Sequence, residues 1–105
     1  MKSEKKYSVI TSGVASVDII EIACSLIKRT DMDTATRILD SLYSSIKSLE
    51  LFSNRFKEII VGETKFREMI VRKFRVIYSV DLDNYVVVVE RVLYIGRDIS
   101  KIAIG

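Results

Sequence analysis

Between Phe74 and Asp81 the chain alternates cleanly: Phe74, Val76, Tyr78 and Val80 fall on one side of an extended backbone, and Arg75, Ile77, Ser79 and Asp81 on the other. Such a segment reads as a strand with one face against a core. It constrains the fold because a strand cannot bury its face alone; it needs strands beside it and a layer over it. Two flanking segments supply the strands. Phe66–Val71 precedes it across Arg72-Lys73, a tight connection with no Gly or Asn to mark it. Tyr85–Tyr94 follows across the turn Leu82-Asp83-Asn84, and its Val86–Val89 run is typical of a buried central strand.

The covering layer comes from the first half of the chain. Tyr7–Thr11 reads as a short strand that Ser12-Gly13 breaks and from which a helix can open. From Val14 to Arg29 the pattern is helical: Val17, Ile20, Cys24 and Ile27 form one stripe, widened by Ile19, Ala23 and Leu26. Asp18 near its start and Lys28 and Arg29 at its end suit the helix dipole. Thr30–Asp33 offers N-cap residues for a second helix reaching about Leu49, with Ala35, Ile38, Leu39, Leu42, Ile46 and Leu49 on its apolar side. Burying those side chains contributes on the order of 10 kcal/mol gross, so the face must pack on something. The short connection implies an antiparallel helix hairpin. Leu51–Glu63 lacks a clear period and reads as loop, and Gly96–Ile104 as a helical turn. The expected fold is α+β, ordered β-α-α-β-β-β, with a two-helix hairpin on one face of an antiparallel-rich sheet in one domain over residues 1–105. The other face is then partly open, and Arg75 points to it.

Composition excludes several kinds of chemistry. There is no histidine and only one cysteine, which removes the commonest general base and leaves a zinc site without ligands. Cys24, beside Ile22, Ala23 and Leu26, reads as a core thiol. Asp81 and Asp83 read as turn residues rather than a metal pair, and the isolated glycines form no phosphate loop. No cofactor or metal is expected. No run of 18 apolar residues is present, and Met1–Lys6 lacks the apolar segment of a signal peptide, so a reducing cytoplasm is the expected compartment. Neither helix has the Lys/Arg-rich polar face of a membrane-surface helix. A net charge of +3 alone argues for no particular partner. The distribution is more informative: Lys65, Arg67, Arg72, Lys73 and Arg75 are opposed locally only by Glu68.

Five segments, in chain order, resemble the RelE/ParE toxins, also called plasmid stabilisation proteins. Ala15, Asp18, Ile19 and Ile22 are similar to the family's A-x-x-D-I-x-x-I. Ile46-Lys47-Ser48-Leu49 followed by Phe52 resembles I-x-S-L…F-P, with Ser53 where proline is usual. Arg67-Glu68-Met69 is similar to R-E-L, and Phe74–Asp81 resembles Y-R-V-I-Y-x-V-D, with Phe74 for the first Tyr. Arg91-Val92-Leu93-Tyr94 through Arg97-Asp98 resembles R-V-L-H…R-D, with Tyr94 where His is common. The resemblance runs roughly from Tyr7 to Ile102 and implies the same order of helices and strands.

It also implies a growth-arresting toxin of a bacterial type II toxin–antitoxin system, neutralised by a cognate antitoxin in a hetero-oligomer. Ribonuclease members act as mRNA interferases, cutting mRNA in the ribosomal A site. That chemistry needs a base for the 2′-hydroxyl, cations for the phosphorane and an acid for the leaving oxygen. The resemblance places Arg67, Arg75 and Arg97 as the cations and Tyr94 as the candidate acid. Met69 stands where such members keep a second cation, no Tyr or His follows Arg97, and a phenol is a poor acid at neutral pH. Whether the chain is an enzyme is therefore open. ParE-like members instead inhibit DNA gyrase by protein contact and need no catalytic set. A non-toxic remnant that only binds its antitoxin is the alternative. Each candidate also has a structural reading: Arg75 can pair with Asp81 or Glu90, Arg97 with Asp98, and Arg67 can serve solubility on an edge strand. An open basic face beside apolar residues can accept an acidic, amphipathic peptide that folds on binding.

Overall fold

The computed structural model describes residues 6–96. In chain order the elements are β1 (Ser8–Thr11), α1 (Gly13–Arg29), α2 (Met32–Phe52), β2 (Lys57–Val61), β3 (Thr64–Val71), β4 (Phe74–Asp81) and β5 (Val86–Tyr94). The strands form one sheet ordered β1-β5-β4-β3-β2, in which β1 runs parallel to β5 and all other neighbours are antiparallel. The expected architecture is present, with one strand more than the sequence suggested.

Both helices begin on side-chain caps. Ser12 Oγ accepts from the Ala15 amide at 3.0 Å, and Asp31 Oδ1 from the Thr34 amide at 2.7 Å. The hairpin lies over the face of β4 that carries Phe74, Val76 and Tyr78, which join Leu42, Ile46, Leu49, Met69, Val87, Val89 and Val92 in the main core. A smaller cluster of Phe66, Ile77 and Leu93, with Ile59 and Val61 against it, occupies the opposite face.

Three expectations are corrected. Lys57–Val61, read as loop, is the edge strand β2, joined to β3 by Gly62-Glu63. Its two inward residues, Ile59 and Val61, face the smaller cluster while Ile60 is exposed, so five residues are too few to show alternation. The second helix continues past Leu49 to Phe52. Finally, α1 is rotated relative to the expected stripe. Its buried residues are Ala15, Asp18, Ile19, Ile22 and Leu26, whereas Val17, Ile20 and Ile27 are exposed, and so is Cys24, which is not a core thiol. A polar residue turns the helix: Asp18 is only 7% exposed, because its carboxylate is bound by β5.

Candidate functional site

The geometry of the candidate residues follows from β4. Its neighbours pair as Arg67↔Tyr78, Ile70↔Arg75 and Phe74↔Tyr94, and directly opposed residues share a face. Tyr78 and Phe74 belong to the core beneath the helices, so Arg67 and Tyr94 lie on that side. Arg75 alternates to the other side, as expected. The sheet therefore separates Arg75 from both Arg67 and Tyr94. Arg67 and Tyr94 share a face but are held apart: from Tyr78 to Phe74 along β4 is about 13 Å, and β3 and β5 lie on opposite sides of it. Arg97 lies outside the described residues.

Each described candidate is tied into its surroundings. Arg67 Nη1 donates to the Phe56 carbonyl at 2.7 Å, holding the segment between α2 and β2 against β3. Beside it, the Tyr78 hydroxyl donates to the Ser53 carbonyl at 2.7 Å in a fully buried position. Burial pushes the Tyr78 phenol up to about 12, against the opposing influence of the Arg67 charge, so it remains a neutral donor. Arg75 pairs with neither Asp81 nor Glu90. Its Nε lies 3.3 Å from Glu68 Oε2, with side-chain exposures of 23% and 10%, and makes no aligned hydrogen bond among the described residues. Glu90 instead accepts from Ser79 Oγ at 2.9 Å. The Asp81 carboxylate accepts from the Asp83 and Asn84 amides and the Asn84 side chain, which hold it below the usual carboxylate range, a turn role as expected. Tyr94 packs its ring on Phe74, centroids 5.0 Å apart.

A buried carboxylate, Asp18, ties the first helix to the sheet; its sequence position suits the helix dipole and falls in the first motif of the resemblance. Tyr78 faces Val89 and Ile77 faces Arg91, so Glu90 is an extra residue, a bulge in β5. β1 ends at Thr11, opposite Val89, leaving the next β5 groups without a strand partner on that side. The start of α1 takes over. The Ser12 amide donates to the Val89 carbonyl and Ser12 Oγ to the Glu90 carbonyl, at 2.9 and 3.1 Å. Asp18 accepts from Arg91 Nε at 2.7 Å, Arg91 Nη2 at 2.9 Å and the Val92 amide at 3.0 Å. This fork is the bidentate geometry for which arginine is suited, and the Asp18 bond raises the Arg91 pKa above its ordinary value against the effect of burial. Asp18 and Arg91 come from the first and last motifs of the resemblance; Glu68 and Arg75 come from two others. The motif spacing of α1 thus carried the signal for its buried face, which the count of apolar residues obscured.

Known structures share the fold. The chain is similar to a structure of the chromosomal ParDE toxin–antitoxin system from P. aeruginosa, with a TM-score of 0.73 and 13% identity over 87% of this chain and 98% of that one. It is also similar to the RelBE2 toxin–antitoxin complex from Mycobacterium tuberculosis, with a TM-score of 0.58 and 16% identity over 85% of this chain and 98% of the other. At such identities the likeness establishes the fold. No curated protein sequence matches the chain. The family is shown by the sequence itself: residues 9–99, which span the Asp18–Arg91 fork and all of the sheet except Ser8 at the start of β1, match the model of the ParE toxin of the type II parDE systems, and the chain belongs to that family.

Proposed function

We propose that this chain is the growth-arresting toxin of a type II pair, held inactive by a cognate antitoxin, and that it acts by protein contact on DNA gyrase rather than by cutting mRNA. Family membership supports the toxin and antitoxin reading, as does the fold shared with chains from toxin–antitoxin complexes. One observation favours contact over cleavage: Arg67 and Arg75 lie on opposite faces of one sheet. A phosphorane needs its cations converging on one set of oxygens, within hydrogen-bond reach. Here one cation binds the Phe56 carbonyl and the other neutralises Glu68, with β3 and β4 between them. Tyr94 rests on Phe74, across the sheet from Arg75. A contact inhibitor makes no such demand; it needs a rigid sheet presenting a fixed surface.

A supercoiling assay tests the proposal. Micromolar folded protein should suppress gyrase-driven supercoiling, and equimolar antitoxin should restore it. Full gyrase activity in the presence of excess protein rejects the target.

A further inference from the structure

The apolar stripe that the sequence marks on α1 faces away from the core. Val17 is 53%, Ile20 61% and Ile27 46% exposed, and Cys24 is exposed with them. These residues follow one another at steps of three, four and three, a heptad seam, the pattern by which one helix packs along another. The residues that seat α1 on the sheet, Ala15, Asp18, Ile19, Ile22 and Leu26, lie on the opposite side. The helix thus has two apolar faces, of which the fold uses one. A surface helix ordinarily turns a polar face outward, and a continuous apolar row marks an interaction surface where single exposed residues do not.

Charge and bulk beside the seam select its occupant. Glu21 and Lys28, both exposed, run along one flank, two helical turns apart and so out of reach of each other. Neither makes a salt bridge among the described residues, although the Glu21 charge also favours the charged form of Arg91. Ser16 and Ala23 run along the other flank and carry no charge. When two copies of α1 lie antiparallel, like flanks meet, and Glu21 of each copy stands opposite Lys28 of the other. A parallel pair would set the charged flank against the uncharged one and leave both charges unmatched. Because Ser16 and Ala23 are small, two such helices can approach to the roughly 8–10 Å at which side chains interlock. The two-fold axis then passes close to Cys24, and Ile20 of each copy lies toward Ile27 of the other.

We infer that the outer face of α1 is a self-association surface, through which two copies of this chain pair antiparallel along Val17, Ile20, Cys24 and Ile27, with Glu21 and Lys28 bridging reciprocally at the edge. A helix of 17 residues is about 25 Å long, and one such seam lies at the small end of specific interfaces. The pairing is therefore a concentration-dependent equilibrium in the micromolar range and not a permanent dimer. It leaves Arg67 and Arg75 on the sheet outside the contact, and it does not depend on gyrase being the target.

The test is sedimentation velocity of the full chain from about 5 to about 500 μM, kept reduced so that Cys24 forms no disulfide. The mean mass should rise with concentration from that of a monomer toward twice that value. Ile20→Lys changes a residue that is 61% exposed and belongs to neither core cluster, so circular dichroism and Tm should match the parent while dimerisation weakens at least tenfold. Glu21→Lys and Lys28→Glu each set like charges opposite one another and should weaken pairing about fivefold. The chain carrying both exchanges should recover the parent affinity within twofold, which separates pairing of two copies from general stickiness of an apolar helix. A monomer at every concentration, dimerisation of Ile20→Lys within twofold of the parent, or no recovery in the double exchange would overturn the pairing.

Discussion

Asp18 decides how α1 sits. A carboxylate this buried must be compensated, and three donors from β5 compensate it. Asp18→Ala removes the acceptor for the Val92 amide and both guanidinium bonds, and should lower stability by about 3–5 kcal/mol in denaturant unfolding. A loss below about 1 kcal/mol would mean that the fork is incidental to the seating of the helix. Tyr78 allows a prediction of opposite pH sense from the usual acid denaturation. Its phenol, ordinarily near 10.0, is raised to about 12 in the folded chain because burial disfavours the phenolate. The folded state therefore keeps a proton that the unfolded chain releases. Its contribution is fully present below about pH 10 and is lost as pH rises toward 12. Tyr78→Phe should flatten the decline in stability across that window and cost about 1–2 kcal/mol at neutral pH, since the Ser53 carbonyl loses its donor. An unchanged alkaline profile would contradict the assignment.

At the level of elements, legibility followed length and period. β4 was readable to its last residue because eight alternating positions leave no other interpretation, and α2 because Ala35, Leu42, Ile46 and Leu49 repeat at helical spacing and are all buried. β2 was not, being short, at the sheet edge and partly exposed. On α1 apolar residues occur around much of the circumference, so hydrophobic period alone could not choose a face. The choice came from one carboxylate and a bulge more than 70 residues away in sequence. Among the candidate site residues, the side of Arg75 followed from alternation, but its partner Glu68 and the opposite placement of Arg67 depended on the β3–β4 register, which no local pattern encodes. The β2–β3 and β3–β4 hairpins, whose two-residue loops both begin in the left-handed region, Gly62 at φ 64° and Arg72 at φ 54°, provide a matched test of backbone strain. Gly62→Ala meets no neighbour within 4 Å of its new Cβ, so its effect is the left-handed φ alone, a loss of about 1 kcal/mol. Arg72→Gly should leave stability unchanged or raise it by up to about 1 kcal/mol. A loss of stability at Arg72 equal to that at Gly62 would show that the Arg72 turn carries no strain.

The whole molecule is a sheet with two unlike sides. Under the helices lies the main core, with Arg67 at one end and Tyr94 at the other; the opposite side carries the Phe66–Ile77–Leu93 cluster and the Glu68–Arg75 pair. Among the described residues, the candidate cations Arg67 and Arg75 thus lie on opposite sides, and this division is what favours the proposed protein contact over cleavage. The most direct measurement is the mapping of mRNA 5′ ends in a translation extract given micromolar protein. The account predicts end profiles identical to those without protein, for the unmodified chain and for Arg75→Ala alike. New ribosome-dependent ends that disappear with Arg75→Ala would contradict it.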